Sequence, residues 1–198
     1  MQKIILASQS PRRKQLLEWA EVPFEVIVKS TEETYPKELS VEEVPVYIAR
    51  QKAIAVKNFL IEEGNTVSNS SIILAADTVV VLDKQIIGKP VDRNDAIKIL
   101  TSLSGREHQV ITGVVIQSGC EEKAFSDVTS VSFHTLTYDQ ITFYIDKYKP
   151  YDKAGAYAIQ EWIGVVGIKS VKGDFYNVMG LPVSRVVRQL FELDSLKK

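Results

Sequence analysis

Cys120 is the sole cysteine of the 198-residue chain, which excludes an intramolecular disulfide framework and any multi-cysteine metal site. It falls in a polar turn between two expected strands and reads as an incidental thiol in a reducing compartment. Histidine is almost as scarce. His108 and His134 lie in expected strands with no HExxH or similar spacing around them, so neither is a candidate base or metal ligand. There is no GxxxxGK[ST] phosphate loop, no GxGxxG fingerprint and no GxSxG nucleophile elbow. The apolar run at residues 3–7 is too short for a signal peptide, and nothing approaches the ~20 apolar residues of a membrane helix, so the expected setting is cytoplasmic, without a membrane partner. A formal net charge of −1 advertises no long nucleic acid. A locally positive cleft for an anionic ligand still needs only a few Lys and Arg. Whatever chemistry the chain performs falls to carboxylates, lysines and arginines.

Hydrophobic residues make up 45% of the sequence, enough for a sizeable core, and residues 1–198 are expected to fold as a single domain. Residues 3–7 read as a strand, followed by Ser10 and Pro11 as the cap and first residue of a helix with Leu16, Leu17 and Ala20 on one face. Residues 24–28 form a second strand. Ser40 and Glu43 have the spacing of a capping box, but Pro45 would then fall inside the helix, so the helix is expected to start near Pro45 and to stop at Gly64. Residues 65–71 read as a loop, and residues 72–82 as a long strand interrupted by Asp77 and Thr78. Asp83-Lys84 turns the chain into a short strand ending at Gly88, and Asp92 caps a helix reaching Leu103. Residues 110–117 and 125–136 pair around Gly119, and Thr137 caps a helix through Tyr148. A glycine-spaced loop, a strand near residues 165–171 and a helix from Pro182 to about Leu193 complete the chain. The expectation is α/β: a long mixed sheet with flanking helices. If two lobes are present, the chain crosses between them more than once.

Four stretches, with Lys52 and the Glu32-Glu33 pair as further charged positions, could carry chemistry. Ser8-Gln9-Ser10-Pro11-Arg12-Arg13 joins a strand to a helix N-terminus, where backbone N–H groups, the helix dipole and two guanidinium groups suit a phosphate. A capped surface helix with solvated arginines has the same sequence. Asp77 is the one acid in an apolar strand, and a buried carboxylate there must pair with a cation, bind a metal or sit at a strand irregularity. Gly88-Lys89-Pro90 presents Lys89 from a stiffened turn. Lys52 is a helical lysine, and Glu32-Glu33 is an acidic loop pair able to hold Mg²⁺ through oxygen. In Asp152-Lys153-Ala154-Gly155-Ala156-Tyr157-Ala158-Ile159-Gln160, small residues leave room for a flat ligand and Gln160 offers both a donor and an acceptor. A tightly packed loop reads equally well.

Taken in order, Ser8 to Arg13, Glu33, Lys52-Ala53, Ala76-Asp77-Thr78, Gly88-Lys89-Pro90, Leu103-Ser104-Gly105, Thr112-Gly113, Asp152 to Tyr157 and Gly180-Leu181-Pro182 resemble the Maf family over nearly the whole chain. The resemblance implies two lobes around a central cleft, as in inosine triphosphate pyrophosphatases. It implies hydrolysis of a nucleoside triphosphate to the monophosphate and pyrophosphate, with Mg²⁺ or Mn²⁺ and a homodimer. By the same resemblance Ser8, Arg13, Lys52 and Lys89 handle phosphate, Glu33 and Asp77 belong to the metal site, and Asp77 accepts a proton. Arg12, Thr78 and Gln160 match the subgroup similar to dTTP/UTP pyrophosphatases. A subgroup acting on 7-methyl-GTP and a non-catalytic nucleotide-binding regulator of septum formation are the alternatives. Ala158 and Glu161-Trp162 depart from the family, whose members often carry glycine there.

Overall fold

The computed structural model describes residues 2–63 and 71–195. The expected stop at Gly64 and the loop over residues 65–70 lie outside them. Among the described residues the strands are β1 (Ile4–Leu6), β2 (Phe24–Val26), β3 (Ile72–Leu82), β4 (Gln85–Ile87), β5 (Glu107–Ser118), β6 (Glu121–Phe133) and β7 (Ile168–Lys172). The helices are α1 (Pro11–Trp19), α2 (Glu43–Glu62), α3 (Arg93–Leu103), α4 (Tyr138–Tyr148), α5 (Trp162–Gly167), α6 (Phe175–Met179) and α7 (Val183–Ser195), with a 3₁₀ turn at Ala154–Ala156. The strand order is β2-β1-β3-β5-β6-β7, with β4 beside β3. β1 is parallel to both β2 and β3, whereas β4 and β7 run antiparallel to β3 and β6. The expected mixed sheet with flanking helices is present.

The described residues form two compact units, one within the bounds 1–77, 112–127 and 180–198, the other within 78–111 and 128–179. In the first, α2 covers a face built from alternate strand residues, because side chains two apart point the same way. Ile5 and Ala7 of the β1 segment, Ile73 and Ala75 of β3, and Val115 of β5 pack with Ala49, Ala53, Val56 and Leu60 of α2. Four alanines in this layer let the helix approach closely. At Gly113 the approach is closer still: a Cβ there would lie 2.2 Å from the Val46 nitrogen. Asp77 comes two residues after Ala75, so the strand period directs it toward the face that α2 covers.

The start of α2 corrects an expectation. The helix begins at Glu43, where the Ser40 N–H and hydroxyl both donate to Glu43 Oε2 at 2.8 Å and the Glu43 N–H donates to Ser40 Oγ at 3.3 Å. Pro45 is third in the helix, in the first turn, where an N–H has no helical partner to lose.

In the second unit Asp83 and Lys84 turn β3 into β4 with φ of 50° and 65°, the mirror-image turn that matches strand twist. Asp92 and Thr137 cap α3 and α4 as expected, Thr137 in a full capping box with Gln140. Arg93 Nε and Nη2 grip Asp146 at 2.6 and 2.8 Å, joining the two helices. The strand expected near residues 165–171 begins only at Ile168. Residues 162–167 are helical instead, the Gly164 N–H bonding back to the Glu161 carbonyl at 2.9 Å, which overrides the β-type Val165-Val166 pair. His134 lies just beyond the end of β6, not within a strand.

Candidate functional site

Five of the residues singled out from the sequence converge in the first unit. Ser8 ends the segment after β1, and its buried hydroxyl accepts from the Ser10 N–H at 3.3 Å and from Arg13 Nη1 at 3.0 Å. Arg13, third residue of α1, is itself buried and sends Nε to the Gly180 carbonyl at 2.7 Å. Its guanidinium is thus fixed at two points. Ser10 makes no side-chain cap; the hydroxyl at this helix start that does bond backbone is that of Ser8.

Lys52 projects from α2 beside buried Ala53. Its ammonium donates to Asp77 Oδ1 at 2.7 Å and to Glu33 Oε1 at 3.0 Å. The side chains of Lys52 and Asp77 are 18% and 13% exposed, that of Glu33 48%. Asp77 is therefore a sheltered carboxylate with a cation in place, and Glu33 the solvent-facing one. Burial lowers the Arg13 guanidinium to about 10, against the pull of Asp77 and Glu33 and with the push of Arg12. At neutral pH it remains a cation, and these charges lie close enough to act on one another.

Two carboxylates on one ammonium are a hard-oxygen donor pair. Mg²⁺ and Mn²⁺ are commonly held by one or two carboxylates, with water and substrate phosphate completing the shell. Glu33 and Asp77 fit that chemistry. No group of three or more His, Cys, Asp or Glu able to hold an ion occurs among the described residues, so a preformed all-protein cage is not what this region offers.

The remaining candidates are divided. Arg12, half-buried on α1, belongs to the first unit, whereas Thr78, Lys89 and Gln160 belong to the second. Thr78 is half-buried on β3 directly after Asp77, and Lys89 and Gln160 are exposed. Within the second unit the Gly155 N–H donates to the Gly88 carbonyl at 3.1 Å, tying the Lys89 turn to the segment that leads to Gln160. Gly155 has φ +70°, and a Cβ on it would meet Val80 Cγ2 at 2.8 Å.

Asp152 and Lys153 of that segment were singled out from the sequence, but not the polar cluster they form with Glu161 and Tyr144. Lys153 is buried and donates to Asp152 Oδ1 at 2.7 Å, with Glu161 Oε1 at 3.7 Å. Glu161 also accepts from the fully buried Tyr144 hydroxyl. Of the other two members, Glu161 was noted only as a departure from glycine.

The family model described as Maf-like protein matches residues 3–193. The chain belongs to the Maf-like protein family. A relative from Cytophaga hutchinsonii, named dTTP/UTP pyrophosphatase, is 49% identical over 94% of this chain and 82% of its own length. Relatives of the same name from Phocaeicola vulgatus and Porphyromonas gingivalis are each 47% identical, covering 96% and 95% of this chain and 96% and 92% of their own. The solved structure of the Staphylococcus aureus Ham1 protein matches at 20% identity and TM-score 0.45, over 83% of this chain and 91% of that one; membership of the Maf-like family rests on the family model and the relatives. No helix among the described residues is long and apolar enough to cross a membrane.

Proposed function

We propose that this Maf-like protein is a nucleotide pyrophosphatase that hydrolyses dTTP and UTP to the nucleoside monophosphate and pyrophosphate, with a divalent cation as cofactor. The observation that carries the proposal is the pair of bonds from Lys52 to Asp77 and Glu33, in the same unit as the doubly anchored Arg13. It supplies fixed cations for phosphate oxygens beside carboxylates able to act on water. Relatives named dTTP/UTP pyrophosphatase over nearly the full chain support the substrate.

In this reading water attacks the α-phosphorus, the bond from that phosphorus to the α–β bridging oxygen breaks, and pyrophosphate leaves with the bond's electrons. Arg13 and Lys52 stabilise charge gathering on the phosphate oxygens, and they need little rearrangement because both are already held. Asp77 accepts the proton of the attacking water; Lys52 occupies Oδ1, and the carboxylate has a second oxygen for this task. Glu33 and Asp77 would hold the cation, which when bound supplies charge neutralisation and acidifies water. Lys89 is assigned to phosphate and Arg12, Thr78 and Gln160 to the base, on residue type and family resemblance. The cytoplasmic setting expected from the sequence and the homodimer that the resemblance implies belong to the same proposal.

A nucleotide panel with separate detection of monophosphate, pyrophosphate and orthophosphate tests it. Expected is pyrophosphate release from dTTP and UTP, with dCTP, dATP and 7-methyl-GTP far slower. A site that hydrogen-bonds its base rejects mismatched ones strongly, because its polar groups are left unpaired. Release of orthophosphate alone would place the attack at the γ-phosphorus and defeat the reading.

A further inference from the structure

Gln160 stands in a turn whose two ends meet at one oxygen atom. The Ala158 N–H donates to the Tyr144 hydroxyl at 3.2 Å, and the same hydroxyl donates to the Glu161 carboxylate. The Glu161 N–H returns to the Ala158 carbonyl at 3.1 Å, closing the turn with Ile159 and Gln160 between them. Ile159 is buried and Gln160 exposed. Tyr144 is fully buried on capped α4 and stacks on Tyr148 with centroids 5.0 Å apart. A Cβ at Gly164 would lie 1.7 Å from the Ile159 carbonyl oxygen, so α5 backbone presses directly on the turn. The Glu161 charge is balanced by Lys153 at 3.7 Å.

We infer that Tyr144 is a positioning residue for base discrimination: its hydroxyl fixes the turn that presents Gln160, although it is assigned no contact with substrate. The inference rests on the assignment of Gln160 to the base. A donor–acceptor amide reads a pyrimidine edge only if its direction is set, and on an exposed side chain that direction comes from the backbone beneath it. A conserved fold with a loose turn would leave phosphate chemistry intact and blur the choice of base.

The experiment uses the full-length enzyme and Tyr144→Phe, which keeps the ring and removes one oxygen. Expected is a fall of about tenfold in the ratio of kcat/KM for dTTP over dCTP, carried by a higher KM for dTTP with kcat nearly kept. Hydrogen exchange at the Ala158 amide should quicken in the same variant, since its acceptor is gone. A residue that merely stabilised the fold would lower activity on both nucleotides alike. If Tyr144→Phe does not fold, Glu161→Ala takes its place with the same expected fall. An unchanged ratio in a folded, active variant overturns the inference and leaves the proposed function standing. Wild-type enzyme inert toward both dTTP and UTP overturns the function and this inference with it.

Discussion

Lys52 Nζ and Asp77 Oδ1 lie 2.7 Å apart on elements that meet through an alanine-lined layer, and the same ammonium reaches Glu33 at 3.0 Å. A lysine shared by two carboxylates of unequal exposure is a poor purchase of stability but a sound arrangement for chemistry, since sheltered pairs contribute little net free energy. The charges are in place before any substrate arrives.

Asp77→Asn retains shape and one acceptor while losing the charge. The variant should fold and bind nucleotide, and pyrophosphate release should drop by roughly 10²-fold or more. Near-normal turnover with a normal metal requirement would make Asp77 a structural ion-pair partner and turn attention to Glu33.

Replacing Lys52 with methionine keeps an unbranched apolar side chain on α2 and deletes the ammonium. Asp77 and Glu33 then face each other without their shared cation. kcat should fall by about 10²-fold, as for loss of a preorganised charge stabiliser, with thermal unfolding measured alongside to confirm a folded protein. Activity within about twofold of wild type would remove Lys52 from the machinery.

Chelation should abolish turnover, and Mg²⁺ or Mn²⁺ should restore it. Glu33→Gln, which weakens one carboxylate ligand, should raise the metal concentration needed for half-maximal rate by about tenfold or more. Full activity in the presence of excess chelator would show that no divalent ion takes part.

His108 gives a pH prediction for stability. Burial lowers it to about 4 from an ordinary 6.5, and its Nε2 meets the Tyr157 hydroxyl at 2.7 Å. Between those pH values the unfolded chain binds a proton that the folded one refuses. The associated stability is therefore complete above pH 6.5 and is lost as pH falls toward 4, amounting to about 3 kcal/mol. Melting temperature should drop on moving from pH 7 to pH 5, and His108→Gln should flatten that dependence. An equal slope in the variant would assign the effect to other groups.

Much of the fold was legible because its signals are local. Asp92 and Thr137 stand where an N-cap must, and Asp83-Lys84 and Gly119 mark their turns. Pro45 misled because a proline's position within the helix decides its cost, and the two residues separating a tolerated from a disruptive site are beyond what periodicity resolves. Residues 162–167 misled through Val165 and Val166, both exposed, where β propensity has no packing to enforce it.

The site was legible in its members and not in its pairings. Asp77 announced itself as a lone acid in an apolar strand, but its partner Lys52 is 25 residues away and Glu33 a further 19 from Lys52. Their meeting depends on the register of α2 over the sheet, which no local pattern encodes. Tyr144 left no trace at all, since a buried tyrosine on an amphipathic helix looks like any core aromatic until its hydroxyl is located.

Gly113 has a bearing on how this protein should be mapped by mutation. The helix that carries Lys52 begins against that glycine, with no room for even a methyl group between the Val46 nitrogen and the strand. Any side chain there lifts the first turn of α2 and shifts everything downstream on it. A survey scoring turnover alone will thus record position 113 as intolerant as Asp77, although it has no functional group to contribute. Pairing each activity score with a measure of folded protein is what separates the residue that reacts from the one that sets the distance.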